Sequence, residues 1–491
     1  MKRWTRRDML MHTGAGFGGL ALRWMLGREA EVFAAGAAAS SVAAPSLAAA
    51  PAGSPRINPL APKPPPFAAK ANRVIFLFMY GGPSHLDLFD PKPELIKWDG
   101  KPIPAYKPED AFMAGKTRNA AMPSPYQFAK HGQSGVEMSD RFPHLATCAD
   151  DLCVIRSMHC ESNNHAPALF QMQTGARQAG RPSMGSWVTY GLGSENENLP
   201  AYVVLMDHQG APVNGALNWS NGFMPAAYQG VPFRPTGDPI AYLNPPPGVT
   251  DQRQRARLDL LGKWNEEHLA ANPGESALAA RIASYELAYR MQSSAADAVD
   301  LASEPASVRE LYGLDQKVTS HFGRNCLLAR RLVERGVRFV QVYSGGNEGP
   351  KAWDAHDDLK KNHDLHCAET DKPIAGLLKD LKSRGLLDDT LVIWGGEFGR
   401  TPTAEGGKGR DHHAKAFTMW MAGGGIKGGT LYGATDDFGY NVTEHPVSVP
   451  DLHATVLHLL GMDHKRLTYP FMGRDFRLTD VSGEVIQAAL A

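Results

Sequence analysis

Neither sign of charge is in excess: the 491 residues carry 51 lysines and arginines against 51 aspartates and glutamates, and no long basic run occurs. The electrostatic footprint of a nucleic-acid binder is therefore missing, and no nucleic-acid partner is expected. Cysteine is scarce. The five residues Cys148, Cys153, Cys160, Cys326 and Cys367 are too few and too scattered for a disulfide framework. Beyond the N-terminal region no stretch has the unbroken apolar character of a spanning helix, so no transmembrane segment is expected after the signal region. The length is enough for one large domain with an insertion, or for two domains, and hence for a deep site.

What is present begins with "MKRWTRRDMLMHTGAGFGGLALRWMLG". A basic start, the pair Arg6 and Arg7, and a Gly/Ala-rich stretch resemble a twin-arginine export signal. Met9 stands where an aromatic is usual, and Arg23 interrupts the apolar stretch. Residues 1–50 are read as this signal region and 51–71, rich in proline, as a linker. A folded domain is expected over 72–491, acting in the periplasm or secreted.

From Asn72 onward short apolar runs recur: "VIFLFM", "LCVIRSM", "AYVVLM", "RFVQVY", "LVIW" and "FTMWMA". Such runs suit strands covered on both faces, as in a mostly parallel sheet. Helical patterns alternate with them. "ETDKPIAGLLKDLKSRG" puts Ile374, Leu377, Leu378 and Leu381 on one face, with Gly385 as a stop, and "DLHATVLHLLG" repeats the pattern. An α/β sandwich with a mostly parallel central sheet follows. Residues 208–317 break the alternation and read as a helical and loop insertion.

Nearly every apolar run is followed by polar side chains able to bind metal or carry protons: His85 and Asp87, His165, Asp354 and His356, and Glu397, while "GRDHH" precedes the last run. Ligands of open α/β sheets bind outside the carboxyl ends of the strands, so these residues are expected to converge. Carboxylates and imidazoles from separate elements are what a divalent ion requires. His85, Asp87 and His413 suit capping or surface roles as well as ligation. Asp354, His356 and Glu397 favour function, because a carboxylate ending a buried strand is costly unless paired or metal-bound. Arg400 and Arg410 suit a bidentate grip on sulfate or phosphate, or equally pairing with Glu397 and Asp411. Glycines such as Gly81 and Gly82 are expected to let a substrate approach the backbone.

These segments together resemble the alkaline phosphatase and sulfatase superfamily. "SRGLLDDTLVIWGGEFGR" is similar to the sulfatase helix, turn and strand that end in Ser-Asp-His-Gly, with Glu397 at the metal-binding aspartate and Phe398 at the histidine. "FPHLATCADDLCVIRSMHCESNNHAPALFQMQTG" resembles the nucleophile segment and puts His165 where cysteine or serine stands. Without Cys or Ser there, formylglycine cannot form. "GGPSHLDLFDPKP", "WDAHDD", "GEFGRTP", "GRDHH" and "GATD" resemble more closely a bacterial domain-of-unknown-function family of exported sulfatase-like proteins.

The resemblance implies an α/β alkaline phosphatase/sulfatase-like fold and an exported hydrolase of sulfate or phosphate esters, with an anionic ester or sulfated glycan, such as a sulfated polysaccharide, as substrate. It implies a divalent cation (Ca, Zn, Mg or Mn) held by Asp354, His356, Glu397 and His412, with His85 and Asp87 as further ligands. His165 is expected as ligand, acid/base or nucleophile, and Arg400 as the residue steadying the anion. A single-metal site using activated water is preferred to covalent turnover. The other reading is a non-catalytic protein of this fold that binds an extracellular glycan or a partner protein.

Overall fold

The computed structural model describes residues 58–491 apart from 105, 113–116, 241–248, 272–275 and 348. The signal region at 1–50 and residues 51–57 of the expected linker lie outside the described residues.

The strands of the nine-stranded and three-stranded sheets, in chain order, are β1 (Arg73–Met79), β2 (Thr117–Ala121), β3 (Leu152–His159), β4 (Tyr202–Leu205), β5 (Val231–Phe233), β6 (Phe339–Ser344), β7 (Thr390–Gly395), β8 (Gly399–Glu405), β9 (Gly409–His413), β10 (Phe417–Ala422), β11 (Thr430–Tyr432) and β12 (Val447–Ser448). The main helices are α1 (His165–Thr174), α2 (Met184–Leu192), α3 (Asp251–Ala271), α4 (Ser276–Val299), α5 (Ser320–Glu334), α6 (Leu359–Ser383) and α7 (Val449–Leu459).

Nine strands form the central sheet in the order β11-β3-β10-β7-β1-β6-β4-β5, with β12 also on β3. All pairings are parallel except those of β10 with β3 and β7. Each of the six apolar runs is a strand of this sheet. β1 shows why it is continuous in apolar character. Ile75, Leu77 and Met79 point to one face, where they join Leu327, Leu328 and Leu332 of α5 and Ile374, Leu377, Leu378 and Leu381 of α6. Val74, Phe76 and Phe78 join Leu169 of α1, Trp187 of α2 and Leu452 and Val456 of α7 on the other. Each fully buried side chain of this size contributes about 1.5–3 kcal/mol, so the two interfaces fix the layers.

Local signals set the helix ends. The Ser448 side chain accepts the Asp451 N–H and the Asp451 carboxylate accepts the Ser448 N–H, a capping box that starts α7. α6 begins ten residues before its expected start, because the Asp358 carboxylate accepts the Lys361 N–H at 3.0 Å. Gly385 at φ +69° ends it.

Two regions differ from expectation. Within 208–317, Val231–Phe233 pairs with β4 and forms the sheet edge, too short a run to stand out by periodicity. The helix pair α3 and α4 follows, with Met291, Ala295 and Ala298 of α4 in the core and no buried residue on α3. The proline-rich stretch from Asn58 is docked rather than free. Its N–H groups donate to carbonyls at helix C-termini, Lys63 to Leu192 at 2.9 Å and Lys70 to Leu459 at 2.8 Å, which would otherwise lack partners.

Candidate metal centre and active site

Because β1, β3, β6 and β7 run in one direction, their carboxyl ends share one edge of the sheet. β1 leads to Gly81 and Gly82, β6 to Asp354 and His356, and β7 to Glu397. After β3, Asn164 caps α1 by accepting the Ala166 N–H at 3.1 Å, so that His165 becomes the first helical residue. β8 and β9 fold back as a hairpin over the same edge, and their register sets His412 opposite Arg400.

His165, Asp354, His356 and His412 converge, each offering a ligand atom within 4.8 Å of the others. Asp354 Oδ1 lies 3.4, 3.0 and 3.2 Å from the Nε2 atoms of His165, His356 and His412, and the Nε2 atoms of His356 and His412 are 2.8 Å apart. The opposite nitrogen of every ring is tied. Glu397 Oε1 accepts from His165 Nδ1 at 2.6 Å, Glu405 accepts from His356 Nδ1, and the Asn163 carbonyl accepts from His412 Nδ1 at 2.7 Å. Each Nδ1 therefore carries a proton, and the three Nε2 atoms, the positions left for a cation or a second proton, face one another and a carboxylate oxygen. Buried His165 Nε2 has no hydrogen-bond partner.

Lone pairs so placed repel unless a cation or shared protons lie between them. Metal-ligating histidines characteristically donate the other ring N–H to a carboxylate or carbonyl, the pattern seen three times here. Tetrahedral edges for ~2.0 Å metal–nitrogen bonds are about 3.3 Å, close to the donor separations. The donor set, three imidazoles and one carboxylate, fits a divalent cation of the zinc type. A second potential group, His356, Glu405 and Asp411, shares the His356 ring.

The electrostatics follow from burial and partners. Burial opposes ionisation of Asp354, but Arg400 and the three histidines outweigh it and hold its carboxyl well below the usual range. Burial lowers His356 too, yet Asp354 and Glu405 carry it up to about 9, and the same balance raises His165 through Asp354 and Glu397. Burial dominates at His412, which stays neutral well below its ordinary range, helped by Arg400.

Other expected residues have different partners. Glu397, fully buried, accepts the Gly81 N–H at 3.0 and 3.2 Å and holds His165; it stands behind the ligand atoms and outside the converging group of four. Arg400 does not face a ligand space. Its guanidinium donates to Asp354 at 2.7 Å and to the carbonyls of Gly81, Gly82 and Arg410. Asp87 lies outside the converging group as well: it receives Arg410 Nε and Nη2 at 2.8 and 3.2 Å and a hydrogen bond from Ser84. His85 bonds the Gly439 carbonyl at 3.0 Å and lies outside the group. Gly81, at φ +112°, admits protein backbone rather than substrate, since a Cβ there would sit 2.7 Å from the Asp354 and Trp353 nitrogens.

Sequence reasoning passed over Glu405, Asn163 and Phe112. Glu405 ends β8 before a Gly-Gly turn and only the hairpin brings it under His356; Phe112 stacks on His412 at 4.6 Å. Phe398, in the place of a resembling family's histidine, packs on His165 and His412 at 4.9 and 4.5 Å.

A cavity of about 200 Å³ meets the four converging residues, with Phe112, Asn164, Ala166 and Val213 as its other walls. A second, of about 480 Å³, shares Asp354 and His356 and adds Asp357, Asp358, Lys361 and Glu405. Among the described residues lining the smaller cavity there is no serine, threonine or cysteine. Cys160 is buried, donates to the Ser162 carbonyl at 3.2 Å, and burial pushes its thiol up to about 12.

The model of the family described as "Protein of unknown function (DUF1501)" matches residues 71–490. The chain belongs to this family. No curated protein matches it. Among solved structures, the PsFucS1 sulfatase from Pseudoalteromonas sp. is similar at TM-score 0.33 and 13% identity, over 80% of this chain and 68% of that one. The phosphonate monoester hydrolase SpPMH from Silicibacter pomeroyi gives 0.32 and 12%, over 80% and 74%. A protein in the alkaline phosphatase superfamily from Vibrio parahaemolyticus gives 0.32 and 11%, over 83% and 71%. At such TM-scores the chemistry of this DUF1501 member has to be read from its own side chains.

Proposed function

We propose that the protein is a metal-dependent hydrolase of sulfate or phosphate esters that uses water as nucleophile. It works outside the cytoplasm, the destination implied by its export-like N-terminal segment. One observation carries the reading: the Nε2 atoms of His165, His356 and His412 face Asp354 Oδ1 while every Nδ1 is held by an acceptor. A binding surface has no need of three imidazoles oriented in this way.

The chemistry a divalent cation supplies when bound is Lewis-acid polarisation of an ester oxygen and activation of water near neutral pH. The chain does the rest. Glu397 and Glu405 keep two rings in the ligating tautomer, Asn163 keeps the third, and Arg400 balances Asp354 from behind. His165 serves as ligand rather than nucleophile, because its Nδ1 is committed to Glu397 and its Nε2 faces the centre. Phe112, Ala166 and Val213 line the cavity with apolar surface that limits bulk water around the reacting group.

Metal analysis of the purified protein, its thermal stability with and without chelator, and turnover of aryl sulfates and aryl phosphates by wild type and His412→Ala test this together. About one divalent ion per chain, chelator sensitivity, and turnover lost in the variant are expected. Retained metal without turnover of any ester would favour the non-catalytic, glycan- or partner-binding reading, which the absence of a hydroxyl or thiol nucleophile among the described lining residues supports. No metal and no chelator effect would remove the proposal.

A further inference from the structure

Among the described residues, carboxylates outnumber lysines and arginines around the centre. Asp354, Glu397, Glu405 and Asp411 belong to the two candidate ligand groups or touch their histidines. Against them stands Arg400, whose donors already serve Asp354 and three carbonyls. Arg410 is closed off as well, in a fully buried bidentate pair with Asp87. The smaller cavity is walled by Phe112, Asn164, Ala166 and Val213 beside the converging group, and no lysine or arginine is among the described residues lining it. Among its described lining residues the larger cavity adds Asp357, Asp358 and Glu405 against one lysine, Lys361, which is exposed.

A reacting group with two negative charges would put one on the cation and leave the other facing carboxylates and apolar wall. Sites for phosphate dianions place arginine, lysine or backbone N–H groups on the remaining oxygens. Here the equivalent space holds Ala166, Val213 and Asn164, a neutral amide whose Oδ1 is taken by the Ala166 N–H. A singly charged group escapes that penalty, since its charge sits at the cation and its substituents meet apolar side chains.

We infer that the centre accepts esters carrying one negative charge at the reacting group, sulfate monoesters or phosphate diesters, and discriminates against phosphate monoester dianions. The acidic lining of the larger cavity extends the rule: the remainder of the substrate is uncharged or cationic next to the scissile bond, which argues against a densely sulfated polysaccharide. The inference rests on the hydrolase reading, and it assigns the specificity to the chain's own walls.

Binding of non-hydrolysed probes separates the two. The full chain, with its metal content measured, is titrated calorimetrically at pH 8.5 with benzenesulfonate, methyl(phenyl)phosphinate, whose two substituents are both held by P–C bonds, and phenylphosphonate. The first two carry one charge and represent the sulfate and phosphodiester sources; the third has the same ring and two charges. Tighter binding of at least one singly charged probe, by about tenfold or more over phenylphosphonate, is expected, the scale of a missing charge-assisted hydrogen bond. Which one leads identifies the source. Ala166→Lys, which adds a cation to the wall, is expected to bring the ratio to within about threefold. Phenylphosphonate binding as tightly as the others, or none of the three binding, overturns the inference. A protein without divalent ion defeats the hydrolase reading instead, and the titration still ranks the probes.

Discussion

Replacing Glu397 with alanine tests the arrangement at its most enclosed point. The carboxylate is fully buried, accepts the Gly81 N–H through both oxygens at 3.0 and 3.2 Å, and holds His165 Nδ1 at 2.6 Å. Its loss leaves the Gly81 N–H without that acceptor, which costs about 1–3 kcal/mol, and removes a hydrogen bond to a charged group worth about 1.5–3 kcal/mol. Relief of carboxylate desolvation offsets part of this, so the stripped protein should lose about 2–4 kcal/mol. The effect on metal should be larger than the fold alone explains. Without Glu397, His165 is free to carry its proton on Nε2 and to rotate out of the centre, and loss of such an outer partner typically weakens metal binding about 10–100-fold. Competition against a chromophoric chelator measures the affinity, and denaturant unfolding of stripped protein measures the stability. If affinity stays within twofold of wild type while the protein is folded, Glu397 does not set the His165 tautomer and the centre as described is wrong.

Two further outcomes follow from the same geometry. Asp87→Asn leaves Arg410 charged and buried, so stability should fall by about 3–5 kcal/mol with metal content unchanged; loss of metal from a folded variant would return Asp87 to the ligand set. Acid should destabilise the protein well above the carboxylate range. Burial holds His363 at about 3 and His453 at about 4 in the folded state. The unfolded chain takes up these protons from about pH 6.5 downward while the folded one does not, so stability drops by about 1.4 kcal/mol per pH unit for each ring. In metal-free protein His356 acts in the opposite sense and at higher pH: its contribution is complete below about 6.5 and disappears as pH rises through about 9. Unfolding free energy that is flat between pH 6.5 and 4.5 would contradict the buried neutral histidines.

The central sheet was legible because its strands are covered on both faces, which forces runs such as "VIFLFM" to be apolar throughout. The edge strand Val231–Phe233 was not, since three residues carry no period. Asp354, His356, His165 and His412 were legible as a constellation because parallel strands deliver whatever follows them to one edge. Asp87 and His85 follow β1 just as closely, yet the short helical turn at His85–Leu88 directs them to Arg410 and to the Gly439 carbonyl.

Composition and local pattern by themselves determined the layered α/β architecture, the sheet's mostly parallel character, the glycine stop at Gly385 and the set of polar residues at the strand ends, because each is written in the residue types along short segments. The division of those residues into the converging group, its supports and ion-pair partners was decided only by tertiary structure. Glu397 became a support for His165, Arg400 a counter-charge for Asp354, and Glu405 a partner of His356 through contacts spanning 232, 46 and 49 residues. Whether a buried carboxylate meets an imidazole, a guanidinium or a backbone N–H is fixed by how the hairpin and loops close over the sheet edge, and no periodicity along the chain encodes that closure.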